Sequence, residues 1–102
     1  MMEAVFGSVA AQCVLLYLHN YSEGYARGIA ATFDMSASQV FKQLRKFEDG
    51  GLIVSRTIGK TRVYSWNEQN LLIVNLRLLL QSLLESLPEA EVNRYYRKTG
   101  SE

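Results

Sequence analysis

A chain of 102 residues, 48% hydrophobic and 21% charged, has the size and composition of one globular domain, which excludes two independent cores. A single cysteine and a single histidine, Cys13 and His19, exclude a Cys/His metal cage within one chain, a dithiol redox pair and a disulfide staple. The net charge of +1 conceals a basic middle: residues 25–66 carry Arg27, Lys42, Arg45, Lys46, Arg56, Lys60 and Arg62 against Asp34, Glu48 and Asp49, a net +4, while both flanks are acidic. Sign asymmetry of this kind marks a surface for a polyanion.

The opening residues, Met1 to Phe6, lack the basic n-region and long apolar run of a secretory signal. Ser8 is placed to cap a first helix whose face is Val9, Cys13, Leu16 and Tyr17, widened by Val14 and Leu18. Asn20 to Gly24 ends it, and His19 near its C-terminus is read as a partner of the helix dipole. Tyr25 to Phe33 reads as a second, shorter helix with Ile29 and Phe33 at i, i+4.

Ser36-Ala37-Ser38-Gln39 fits a capping box and starts a third helix, about 37–49. Its inward face is Val40, Leu44 and Phe47, and Gly50 stands where a left-handed residue closes a helix. The short connection from Phe33 to Ser36 makes the second and third helices a helix-turn-helix. Past Gly50-Gly51, the runs Leu52 to Thr57 and Arg62 to Trp66 are β-branched and aromatic, and Ile58-Gly59-Lys60-Thr61 joins them as a β-hairpin with a basic tip.

Asn67 is expected to cap a long helix from about Glu68 to Leu87, where Leu72, Ile73, Leu76, Leu79, Leu80, Leu83, Leu84 and Leu87 fall within an arc of roughly 140°. Asn75, Arg77, Gln81 and Glu85 interrupt the run, which argues against a membrane span. An arc that broad serves its own core along one edge and a second copy along the other, so Leu72, Leu76, Leu79, Leu80, Leu83 and Leu87 are the expected dimer contact. Leu71, Val74 and Leu78 spill onto the polar side. Pro88 breaks the helix, Pro88 to Lys98 is expected as a short final helix with Val92, Tyr95 and Tyr96, and Thr99 to Glu102 as a frayed tail. The chain thus divides into 6–66, 67–87 and 88–102 within one α+β, mostly α domain, expected to be soluble and cytoplasmic.

With this element order, the chain resembles the winged helix-turn-helix regulators of the ArsR/MarR type. Met35 to Ile53 looks like the recognition helix running into the first wing strand, and Gly59-Lys60-Thr61-Arg62-Val63-Tyr64 like the wing, the likeness covering about Phe6 to Leu87. Metal-sensing members carry a cysteine cluster near the recognition unit; this chain has none there, so the resemblance implies a regulator that senses no metal and needs no cofactor. Val40, Gln43 and Leu44 through Glu48, the wing Gly59 to Tyr64 and Asn67 also look like small winged-helix domains found beside nucleotidyltransferases, although no nucleotidyltransferase motif is present.

The resemblance implies a homodimer on double-stranded DNA, with the third helix in the major groove and the wing, 58–62, on phosphate or in the minor groove. Gln39 and Gln43 suit adenine, Lys42 suits guanine, and Ser38 suits a base or a phosphate. Arg27, Ser36, Lys46, Arg56, Lys60, Thr61 and Arg62 are the expected phosphate contacts. Phe41 is read as core or as packed on a neighbouring helix rather than on a thymine methyl. No Gly-rich phosphate loop and no nucleophile with a nearby base is present, so the chain does not read as an enzyme. The competing reading is an interaction module for a separately encoded partner such as a nucleotidyltransferase-like effector, and an unidentified small-molecule effector is left open.

Overall fold

The computed structural model describes residues 6–96. Helix α1 spans Val9–Tyr21 and starts as its sequence dictates, with the Ser8 hydroxyl accepting the Ala11 N–H at 3.0 Å. Its burial is broader than the one-sided face expected. Ala11, Cys13, Val14, Leu15, Leu16 and Leu18 are all buried, whereas Val9 is exposed. The reason is position: α1 is the central pillar against which the other helices, the short strand β1 (Glu23–Gly24) and the C-terminal turn all pack.

Helix α2 spans Ala26–Phe33 and stops at Asp34, which takes the left-handed conformation at φ 55°. Its N–H and that of Met35 turn back to the last carbonyls of α2, at Ala31 and Ala30. Helix α3, Ala37–Asp49, follows at once. The Ser36 hydroxyl accepts the Gln39 N–H at 3.2 Å, but the return half of the capping box differs from expectation: the Gln39 side chain takes a hydrogen bond from the same hydroxyl rather than reaching the Ser36 amide. Val40, Leu44 and Phe47 face the core as their spacing predicts.

The close of α3 also shifts by one residue. Gly50 has φ −82°, and Gly51, at φ 82°, is the left-handed residue. Leu52 N–H reaches the Phe47 carbonyl and Gly51 N–H the Glu48 carbonyl, each at 3.0 Å, which is a Schellman closure centred on Gly51.

Strands β2 (Ile53–Ile58) and β3 (Thr61–Trp66) pair in register from Ile53 opposite Trp66 to Ile58 opposite Thr61, leaving the two-residue turn Gly59-Lys60 with Gly59 at φ 64°. The strand β1, absent from the sequence reading because two residues carry no periodicity, adds to the far edge of β3, giving the order β1-β3-β2. Ile53, Tyr64 and Trp66 bury against the helices, and the Trp66 indole N–H donates to the Leu18 carbonyl of α1 at 3.1 Å.

Helix α4 spans Leu72–Glu85, four residues later than expected. Asn67 and Asn70 each form a short turn, their side-chain oxygens accepting Gln69 N–H and Leu72 N–H, and both side-chain amides donate to the Gly51 carbonyl. Ile73, Leu80 and Leu83 are buried against the chain's own core. His19 ties α4 to α1: Gln81 meets its Nε2 at 2.7 Å and Arg77 donates to its Nδ1 and its carbonyl, so side chains of α4 are its partners rather than the dipole of its own helix alone.

After Pro88 the chain makes α5 (Glu89–Glu91) and a π-helical turn, Val92–Tyr96. The turn folds back on α1, where Tyr21 donates to the Tyr95 carbonyl and Asn20 to the Tyr96 carbonyl. Tyr96 is buried, and Tyr95 and Tyr96 stack around Phe33 with ring centroids 5.2 and 5.7 Å away. The expected continuation through Lys98 and the frayed 99–102 lie outside the described residues. No described helix is long and apolar enough to cross a membrane.

The same tail encloses Cys13. Burial, reinforced by the Glu91 carboxylate, pushes the thiol up to about 11 from an ordinary 9.0. The protonated form is thus favoured by folding: this contribution is intact below the unfolded value and is lost as pH rises through the folded one. Urea unfolding should show stability falling between pH of about 9 and 11, less so in Cys13→Ala, and a thiol reagent near neutral pH should modify only the unfolded chain. Rapid labelling of the folded protein would contradict the buried placement.

Candidate nucleic-acid interface

The polar side of α3 divides into three rows. Phe41, Arg45 and Glu48, spaced i, i+4, i+7, run along the edge next to the wing; Ser38 and Lys42 form the exposed crest; Gln39, Gln43 and Lys46 run along the opposite flank. Two grooves between α3 and the hairpin fix this orientation. The larger, about 620 Å³, is lined by Tyr25 and Arg27 at the start of α2, Phe41 of α3, and Lys60, Arg62 and Tyr64 of the wing. The smaller, about 190 Å³, lies on the other side of Phe41, with Arg45, Glu48, Asp49 and again Arg62 and Tyr64.

The wing is held at this angle by a polar relay. Arg62 Nη1 donates to the Ser55 hydroxyl at 2.8 Å, and that hydroxyl donates to Glu48 Oε2 at 2.5 Å, so one serine joins the guanidinium of β3 to the carboxylate of α3. Beneath it, burial pushes the Tyr64 phenol above the usual tyrosine range, the Glu48 carboxylate adding to the rise and Arg62 and Arg45 opposing it.

The expected site residues separate accordingly. Arg27, Lys60, Thr61 and Arg62 converge on the larger groove. Ser36, Ser38, Gln39, Lys42 and Lys46 are exposed at the start and along the outer side of α3, with Ser36 already engaged as the helix cap and the Lys46 ammonium 5.8 Å from the Phe47 ring. Two residues stand apart. Gln43 is partly buried with its Oε1 enclosed and without a partner, so it does not present the full amide that bidentate adenine pairing needs. Arg56 alternates onto the opposite sheet face from Arg62 and forms an ion pair with Glu23 of β1 at 2.7 Å, which leaves it off the α3 side of the hairpin.

Sequence reasoning missed Phe41 and Arg45. Phe41 is 45% exposed and divides the two grooves, where it lies beside Tyr25 and Ala26 at the start of α2. Its signal was its spacing from Arg45 and Glu48, which puts it on the wing side of α3 rather than on the buried face of Val40, Leu44 and Phe47.

On α4 the expected interface residues also divide. Leu80 and Leu83 are buried in the chain's own core, and Leu76 and Leu87 pack partly against it. Leu72 and Leu79 are exposed, as are Leu71, Val74 and Leu78, so the free apolar surface lies further round the helix than the predicted arc.

No protein-family model matches the sequence, and no curated protein does either. Solved structures match its fold. The antimony-specific transcriptional repressor AntR superposes with a TM-score of 0.64 at 20% identity, over 86% of this chain and 75% of that one. The homodimeric winged helix-turn-helix DNA-binding domain of a possible ArsR-family regulator from Mycobacterium bovis gives 0.60 at 20%, over 85% and 78%. Lactococcus lactis ZitR in complex with DNA gives 0.52 at 19%, over 82% and 65%. The chain has the winged helix-turn-helix fold.

The relay itself is testable. Ser55→Ala should lower stability by about 1 kcal/mol, and the amides of β2 and β3 near the Gly59-Lys60 turn should exchange faster with deuterium. Unchanged exchange in the hairpin would show that the relay does not hold it.

Proposed function

We propose that the protein is a DNA-binding transcriptional regulator that acts as a homodimer, with α3 in the major groove and the wing turn on phosphate or in the adjacent minor groove. The observation that carries this reading is the convergence of Arg27 from the start of α2 with Lys60 and Arg62 from the wing on the groove beside the exposed face of α3. Cations placed there neutralise backbone phosphates and fix register, while Ser38, Lys42 and Arg45 on α3 meet base edges. The described neighbours support it: one is a repressor, one a homodimeric DNA-binding domain, one a DNA complex.

Homodimerisation rests on α4. Leu71, Leu72, Val74 and Leu78 are 88, 66, 67 and 63% exposed on one helix, an apolar surface that a lone soluble domain has no use for. A second copy packing the same face gives a two-fold pair, which sets the two α3 helices about 34 Å apart, one turn of duplex, and hence calls for an inverted-repeat site.

A second reading, a protein-interaction module, is favoured by one observation: Glu48 and Asp49 share the smaller groove with Arg45 and Arg62, so the basic surface is interrupted there. Selection from a pool of random duplexes at two salt concentrations separates the two. The regulator enriches an inverted repeat and loses affinity steeply with salt; an interaction module enriches nothing. Leu72→Glu with Leu79→Glu, both at exposed positions, should yield a folded monomer by light scattering and weaken operator binding by at least about tenfold through lost avidity. A double variant that remains dimeric would refute the α4 interface.

A further inference from the structure

We propose that Phe41 reads a thymine through its C5-methyl group, and so sets the base preference at one position of each half-site; the inference rests on the DNA-binding reading above. Phe41 is a large apolar side chain standing 45% exposed among the polar residues Ser38, Lys42, Arg45 and Glu48 of α3. It belongs to the edge between the two grooves rather than to the buried core, whose α3 members are Val40, Leu44 and Phe47.

Position and chemistry together select the ligand feature. The edges of the bases in the major groove present ring-nitrogen and carbonyl acceptors, amino donors and one apolar group, the methyl of thymine. Ser38, Lys42 and Arg45 match the polar features; Phe41 matches only the methyl. Arg45 follows Phe41 by one helical turn and Lys42 is its chain neighbour, so two cations suited to guanine stand beside the ring, both toward the C-terminal end of α3. The geometry therefore points to a thymine next to a G·C pair. Arg27, Lys60 and Arg62 line the larger groove beside the ring, placed to hold the backbone of a duplex whose base edges α3 meets.

The test uses the full chain and the site recovered by selection, with each thymine replaced in turn by deoxyuridine, which removes the methyl and nothing else. At one position per half-site the replacement should weaken binding about fourfold, the value of burying one methyl-sized group. Phe41→Ala should bind the thymine and deoxyuridine sites equally, whereas Lys60→Ala should bind both more weakly and keep the fourfold preference. If no deoxyuridine position matters, or if Phe41→Ala retains the preference, the inference is overturned while DNA binding stands. If no duplex is enriched at all, the DNA-binding reading falls, and this inference with it.

Discussion

The turn at Gly51 joins three elements whose relative placement makes the surface. Its left-handed φ of 82° closes α3, and its carbonyl takes the side-chain amides of both Asn67 and Asn70, at 2.9 and 3.0 Å, where the chain leaves the hairpin for α4. Leu52 on its other side accepts the Asn67 N–H, so the last turn of α3, the first residue before β2 and the approach to α4 share one hydrogen-bonded knot. A Cβ at position 51 meets no neighbouring atom, so the demand for glycine there is conformational rather than steric. With that knot in place, the Glu48–Ser55–Arg62 relay has a fixed helix to lean the wing against.

Much of this architecture is legible in the residues. The Ser8 and Ser36 caps, the Val40-Leu44-Phe47 face and the β-branched and aromatic runs of the hairpin are local signals, and the structure realises each of them. Signals that need a partner from elsewhere in the chain are the ones that fail. The two-residue strand β1 exists only because β3 offers it an edge, and α4 begins at Leu72 because Asn67 and Asn70 are occupied with Gly51. Likewise α1 reads as one-sided by periodicity, yet it is surrounded on nearly all sides once the tail turns back over Cys13 and Tyr21.

The interface was legible by residue type more than by direction. Arg27 lies far in sequence from Lys60 and Arg62, and charge alone marks them; the hairpin turn and the start of α2 then bring them to one groove. Glutamine chemistry suggested Gln43, but helix phase turns it to the flank where its Oε1 is enclosed. Aromatic character suggested packing for Phe41, but the same phase turns it outward. Arg56 looks like its neighbours in composition and differs by strand parity, which sends it to Glu23. The apolar excess of α4 has the same logic: Ile73, Leu80 and Leu83 satisfy the domain, and Leu71, Leu72, Val74, Leu78 and Leu79 stay exposed.

On the proposed reading, α3 and the wing form one surface for duplex DNA, distinct from the apolar face of α4. Backbone amide chemical shifts, followed while a mixed-sequence duplex is added at low salt, report on that surface residue by residue. Shifts should concentrate at Arg27, Phe41, Lys42, Arg45, Lys60 and Arg62, fading as salt is raised, with α4 quiet. Shifts confined to α4, or none at any salt concentration, would contradict it.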